Sequence, residues 1–130
     1  MITTEDMAVI VSGMLGGFNM PVYTKGHIPF SDIPEEGRIT ITPKEDSDGR
    51  IFDKCFIEVH FILPDVNREA AYNLDDIERR AYALFKDGVA GTYDSQHYLI
   101  TYSRRSREND EQLQSHYVHF QLLFETLNVS

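Results

Sequence analysis

The fold is decided near the C-terminal end, where residues Ser115–Val129 read "SHYVHFQLLFETLNV". Alternation with a period of two predicts a β-strand with one apolar face and one half-apolar face. The first set is His116, Val118, Phe120, Leu122, Phe124 and Thr126, and the second is Tyr117, His119, Gln121, Leu123, Glu125 and Leu127. At about 3.3 Å per residue, such a strand is far longer than the usual ~5–6 residues. Both faces of the strand therefore need to be packed against other elements of the protein or against a partner.

The length of the chain, 130 residues, predicts a single domain over 1–130 with one hydrophobic core. No apolar run approaches the ~18 residues that indicate a membrane span, so no membrane partner is expected. The N-terminal residues "MITTEDMAVIVSGMLGGF" carry acids where a signal peptide carries positive charge. Cys55 is the single cysteine and lies in an apolar strand pattern, which indicates a buried thiol in a reducing compartment.

The chain is acidic, with twenty-one acids against twelve bases and a formal net charge of −9. This balance argues against the broad basic surface that duplex DNA requires, so we expect no sequence-specific binding of nucleic acid. It is compatible with a protein that DNA must pass without sticking. It is equally compatible with a negative surface that only maintains solubility.

Hydrophobic periodicity divides the chain into two helices and five strands. The first helix begins at Thr3 or Thr4 and ends at Gly16 and Gly17, and the second has Asp65 or Asn67 as its cap and Gly88 as its stop. The strands are Met20–Lys25, Arg38–Pro43, Arg50–Leu63, His97–Arg105 and the C-terminal one. The polar turn "KEDSDG" joins the second and third strands into a long hairpin, and Ser106–Gln112 is a charged turn.

The element order α-β-β-β-α-β-β predicts an α+β fold with a mainly antiparallel sheet of 4–5 strands and two helices packed on one face. The helices then cover one face of the terminal strand. The other face carries Tyr117, His119, Leu123 and Leu127, and the hairpin adds Phe56 and Ile62. Because contiguous exposed apolar area usually marks a partner surface, we expect another subunit to cover it.

Sites for metals and catalysis are weakly indicated. The turn at Asp46 and Asp48 resembles part of a calcium loop, but Lys44 and Cys55 occupy two of the positions that need oxygen ligands. Among five histidines, His116 and His119 face opposite sides of a strand.

His60 and His119 can meet across neighbouring strands, but a third ligand is not evident from the sequence. The acids and Lys44 do not have the spacing of a nuclease core, and the glycines near the first helix lack the lysine of a phosphate-binding loop. The sequence therefore predicts no catalytic, cofactor-binding or metal-ligating residues and no cofactor.

The succession of elements resembles the tail-terminator, or tail-completion, proteins of long-tailed bacteriophages. A first helix leads to short strands and the long hairpin Arg38–Leu63, and the acid-rich helix Asn67–Lys86 follows. The chain ends on two strands joined by a charged turn, "ENDEQLQSHYVHFQLLFE", Glu108–Glu125. The loop 26–37, with Pro29 and Pro34, has no counterpart in this pattern and is long enough for a role beyond connection.

The resemblance implies a hexameric ring that caps the tail tube, stops its polymerisation and contacts the head-completion proteins. It implies a structural protein rather than an enzyme, present in the bacterial host cytoplasm during assembly and then in the virion tail. Six copies at −9 each would line the ring with charge that repels DNA. Two other classes remain open: a small acidic, immunity-like binding or adaptor domain that dimerises through its sheet, and a small enzyme.

The predicted subunit interface combines apolar burial with ion pairs. A neighbouring subunit would cover Phe56, Ile62, Tyr117, His119, Leu123 and Leu127, while Arg104, Arg105 and Arg107 pair with its acids. Those arginines belong to the one basic cluster, "SRRSRE", whose alternative interpretation is a solvated turn.

Overall fold

A computed structural model of the chain describes residues 2–24, 33, 36–44, 54–64, 70–110 and 115–127. The elements in chain order are α1 (Thr4–Met14), a 3₁₀ turn (Gly16–Phe18), β1 (Val22–Thr24), β2 (Arg38–Pro43), β3 (Lys54–Pro64), α2 (Ala70–Phe85), β4 (Val89–Tyr93), β5 (Gln96–Asp110) and β6 (Ser115–Leu127). Most of the predicted loop 26–37, the turn after Lys44, and the predicted caps Asp65 and Asn67 lie outside the described residues.

The strands form one six-stranded sheet in the order β1-β2-β3-β6-β5-β4. β1 runs parallel to β2, whereas the other neighbouring pairs are antiparallel. The sheet is mixed and curls into a half-barrel. The predicted mainly antiparallel sheet of 4–5 strands, with the order α-β-β-β-α-β-β, is therefore wrong: the order is α-β-β-β-α-β-β-β.

The strand that the sequence analysis missed is β4, which pairs with β5 through a tight turn at Asp94 and Ser95. Both turn residues have positive φ, 49° and 63°, a conformation for which Asn-Gly or Asp-Gly is the usual sequence signal. "Asp-Ser" carries no such signal, and Gly91 in the middle of β4 lowers its strand propensity. β5 also continues to Asp110, so the predicted turn from Ser106 is strand over its first five residues.

The hydrophobic core lies between the sheet and the two helices. Alternate residues of β3 and β6 that face the helices include Ile57, Val59, Phe61, Val118, Phe120, Leu122 and Phe124, and all of these are fully buried. α1 contributes Met7 and Val11 to the same cluster, and α2 contributes Leu74 and Phe85. Cys55 belongs to this buried set, in agreement with its expected role as a small apolar residue.

The ends of the helices follow local capping chemistry. The Thr3 hydroxyl accepts a hydrogen bond from the backbone of Asp6, and the Asp6 carboxylate accepts one from the backbone of Thr3. This capping box confirms Thr3 as one of the two predicted caps. Gly88, at φ +79°, follows the end of α2. No helix among the described residues is long and apolar enough to cross a membrane.

Candidate functional site

We call the face of the sheet that is turned away from α1 and α2 the open face. The residues of this face are assigned by the register of β3 and β6. The two strands pair residue by residue, from Lys54 with Glu125 to Pro64 with Ser115. Its central side chains are Phe56, Glu58, His60 and Ile62 of β3 and Tyr117, His119, Gln121 and Leu123 of β6. Arg38, Thr40 and Thr42 of β2 flank it on one side, and Thr101, Arg104, Ser106 and Glu108 of β5 on the other.

Most of the predicted interface residues lie on the open face. Phe56 is 43% exposed and stands directly opposite Leu123, which is half-buried. Tyr117 is also half-buried, whereas Ile62 beside it is 9% exposed. Arg104 is exposed on β5. Leu127 ends β6, and its side chain lies outside the described part of the structure.

Arg105 and Arg107 lie on the opposite face, towards α2. An irregularity in the register between Tyr102 and Arg104 shifts the alternation of β5, so that Arg105 is opposite Phe120. Arg105 then contacts Glu78 at 3.1 Å and lies 4.5 Å from the ring centre of Tyr82.

Arg107 contacts two acids of α2, Asp75 at 2.6 Å and Glu78 at 3.3 Å. The side-chain hydrogen bond from Arg107 lowers the pKa of Asp75. Both arginines therefore have partners within their own chain, and Arg104 is the member of the basic cluster that remains on the open face.

A cluster of three metal-ligating side chains lies at the centre of the open face. His60 and His119 are directly opposite each other on β3 and β6, with ring centres 4.6 Å apart. Glu58 is the next residue of β3 on the same face, and its Oε1 atom is 3.4 Å from Nε2 of His119. One ligand atom from each of Glu58, His60 and His119 lies within 4.8 Å of the other two.

The cluster is shielded from solvent. The side chains of Glu58 and His119 are 17% and 18% exposed. Nε2 of His119 is buried and makes no hydrogen bond, since the contact to Glu58 lacks hydrogen-bond geometry. A buried polar atom of this kind costs free energy unless a partner is supplied.

The charges around the cluster act on its protonation. Burial, followed by the neighbouring charge of His119, lowers the pKa of His60, while Glu58 and Glu108 oppose this shift. Burial raises the pKa of Glu58, but the hydrogen bond from Lys44 and the charges of His119, Lys44 and His60 outweigh it, so the net pKa is lowered. His60 is therefore favoured as a neutral imidazole and Glu58 as a carboxylate.

Two further polar groups border the cluster. Lys44 contacts Glu58 Oε1 at 2.8 Å through a side chain that is 52% exposed. The ring of Tyr117 lies 5.5 Å from that of His60, and its hydroxyl donates a hydrogen bond to Glu108. The open face thus combines a polar centre with apolar and aromatic groups on either side.

The open face is less acidic than the chain as a whole. Four bases and three acids have described side chains on it: Arg38, Lys44, Lys54, Arg104, Glu58, Glu108 and Glu125. Asp110, paired with Ser115, occupies a register position on the same face. Acids outnumber bases by twenty-one to twelve in the whole sequence. Among the described residues, α1 and α2 carry five acids, Glu5, Asp6, Asp75, Asp76 and Glu78, against two bases, Arg79 and Arg80. The two helices are therefore more acidic than the open face.

Glu58 is the residue that the sequence analysis missed. The sequence left open that His60 and His119 meet across adjacent strands, and the structure places them together. The spacing "Glu58-Val59-His60" puts Glu58 and His60 on the same face of β3, because two residues separated by one lie on the same face of a strand. What the sequence alone did not provide was the register that sets His119 opposite His60.

No protein-family model and no curated protein matches this chain. Several solved structures are similar in fold. One of them has a TM-score of 0.59 over 92% of this chain and 88% of that chain, at 13% sequence identity. At this identity the likeness shows the fold alone, so the mixed, curled sheet with two helices is an arrangement that this chain shares with a protein of different sequence.

Proposed function

We propose that this protein is a structural subunit of a phage or prophage tail that assembles through its open face into a ring. The carrying observation is the apolar content of that face, where Phe56 is 43% exposed and lies opposite the half-buried Leu123. Exposed apolar patches rimmed by polar residues mark sites of association, and Phe56 with Leu123 forms such a patch beside the polar centre of the face. The tail assignment itself rests on the resemblance of the sequence pattern, from the first helix through the long hairpin and the acid-rich helix to the two terminal strands; β4 is an addition to that pattern. Assembly would take place in the host cytoplasm, and the final place would be the virion tail.

A second copy of this chain is the occupant that the charges favour. The register places four bases and four acids on the open face, whereas α1 and α2 carry five acids against two bases. The outer side of α2 offers Asp76, whose side chain is 70% exposed. Contact between two different surfaces is heterologous, and a heterologous contact closes into a ring when its rotation allows.

The ring would cap the tail tube and join it to the head-completion proteins, with no catalytic step. Light scattering on a sizing column, over a wide range of concentrations and with and without purified tail tubes, tests this. A mass near six times 15.0 kDa, alone or on the tubes, supports the proposal. A stable dimer would instead favour the immunity-like adaptor, and a chain that stays monomeric beside tail tubes contradicts the ring.

A pair of neighbouring substitutions separates association from folding. Leu123→Asp places a charge on the open face, so we expect it to prevent oligomerisation and leave the monomer folded. Leu122→Asp is the matched control: Leu122 is fully buried against the helices, and the change should cost about 4 kcal/mol or more, enough to unfold the domain. Far-ultraviolet circular dichroism and light scattering on both variants give the comparison. Unfolding of Leu123→Asp would mean that Leu123 is itself part of the core.

A further inference from the structure

We propose that Glu58, His60 and His119 form a binding site for a divalent transition-metal ion, with Zn²⁺ as the best match. The site uses two imidazoles and one carboxylate, a set in which three protein ligands leave a fourth position for water or for a group from a covering molecule. Imidazole ligands select zinc and its neighbours over Mg²⁺ and Ca²⁺, which prefer oxygen ligands throughout.

The spacing of the ligand atoms fits a small ion. Two ligands of a tetrahedral zinc ion, each about 2.0–2.1 Å from the metal, lie roughly 3.3 Å apart. Nε2 of His119 and Oε1 of Glu58 are already 3.4 Å apart. One ligand atom of His60 lies within 4.8 Å of a ligand atom of Glu58 and of His119, so a small rotation of the His60 side chain would bring it to the third position.

The backbone holds the ligands in place before any ion binds. His60 and His119 are a directly opposed pair in the centre of the sheet, where β3 has β2 on its other side and β6 has β5. Glu58 is fixed by the same strand as His60. An ion would therefore join β3 and β6 without rearrangement of the sheet, which keeps the ordering cost low.

The buried nitrogen of His119 is the observation that an ordinary ion pair does not explain. A histidine that served only to neutralise Glu58 would be expected to hydrogen-bond it, yet Nε2 has no hydrogen-bond partner. A metal ion would use that lone pair. Lys44 contacts the same oxygen of Glu58, and since its side chain is 52% exposed it is free to turn into solvent when an ion binds.

The test measures Zn²⁺ binding to the full chain after treatment with a chelator. Titration of ZnCl₂ against a chromophoric competitor should give one site per chain and a rise in Tm. Co²⁺ in place of Zn²⁺ should give the intense visible absorption of a tetrahedral ion, which reports the coordination geometry and separates this site from one with six oxygen ligands. Binding of no ion, or a Co²⁺ spectrum typical of six oxygen ligands, would overturn the proposal.

Variants identify the ligands. His119→Gln and Glu58→Gln should each lower the affinity at least about 10-fold, since loss of an outer-shell partner alone costs that much. His116→Gln is the matched control, because His116 lies on the same strand but opposite Leu63 on the other face, and its affinity should stay unchanged. A loss as large in His116→Gln as in His119→Gln refutes the assignment. Unfolding of one ligand variant leaves the other to decide, and circular dichroism shows which is folded.

Discussion

Two glycines with left-handed backbone conformations differ in the room that their surroundings leave for a side chain. Gly37 precedes β2 at φ +84°, and a Cβ there would collide with the carbonyl oxygen of Ile62 and the side chain of Leu63. Gly88 has a similar φ of +79°, but the atom nearest to an added Cβ is 3.5 Å away. The two glycines therefore share a left-handed conformation and differ in their surroundings.

This difference predicts unequal costs for the same substitution. Gly88→Ala should lower the free energy of unfolding by about 1–2 kcal/mol, the ordinary cost of a left-handed alanine. Gly37→Ala adds a collision with the backbone and should cost about 3 kcal/mol or more. Urea denaturation of both variants measures the two values. Equal losses would show that the strand β3 is not as close to Gly37 as the structure places it.

The residue scale also shows what the sequence can and cannot predict. Thr3 was recognisable as a cap because its partner Asp6 is three residues away, and Cys55 was recognisable as buried from the alternation of its strand. The cluster of Glu58, His60 and His119 was only half visible. His60 and His119 could be matched across strands, but Glu58, two residues before His60 on β3, was not recognised with them because the register that sets His119 beside both was unknown. Local chemistry can be predicted from the sequence, whereas contacts across strands depend on the register.

At the scale of the elements, the irregularity in β5 decides which arginines face α2. In a strand that alternated without interruption, Arg104 would face α2 and Arg105 would lie on the open face. The register shift after Tyr102 instead leaves Arg104 exposed and sets Arg105 against Glu78 and Tyr82. Such an irregularity re-aims side chains, and no signal in "YSRRSRE" marks it. The basic cluster was therefore predictable, but the division of its side chains between the two faces was not.

Neighbouring arginines should consequently contribute differently to stability. Arg105→Ala removes a partly exposed ion pair with Glu78 and a cation–π contact with Tyr82, so we expect a loss of about 1–2 kcal/mol. Arg104→Ala removes an exposed side chain and should change the free energy of unfolding by less than about 0.5 kcal/mol. Chemical denaturation at one pH and ionic strength compares the two. The opposite ranking would mean that β5 alternates without the shift.

For the whole molecule, the sheet is larger and less regular than its sequence suggests. The residues of the central strands β3 and β6 alternate between the buried and the open face as their sequence predicts. The core residues of these two strands, such as Ile57 and Phe124, were therefore predictable. The positions of the two edge strands were not predictable. β1 has only three residues and pairs in parallel, and β4 is joined to β5 by a turn without glycine. Short edge strands derive their stability from pairing rather than from their own sequence, so their place in the sheet does not follow from periodicity.

The uneven distribution of charge over the described surfaces predicts how association depends on salt. If the bases of the open face, Arg104 among them, meet the acid-rich surface of α2 in a second copy, the contact is electrostatically attractive. Association should then weaken as salt rises from ~0.1 to ~1 M and the Debye length falls from about 10 to about 3 Å. If the mutual repulsion of chains with a net charge of −9 opposes association, association would instead strengthen as salt rises. Sedimentation velocity at several salt concentrations distinguishes the two signs.

Two charge reversals locate the contact that this salt dependence reports. Arg104→Glu makes the open face acidic and should weaken association and flatten its dependence on salt. Arg79→Glu, on the exposed side of α2, changes the net charge by the same amount but makes the proposed partner surface more acidic, so it should not weaken association. An effect of total charge would instead appear in both variants. Because both arginines are exposed, neither change should disturb folding. Equal weakening by the two reversals would assign the effect to net charge and remove the open face as the basic partner of the contact.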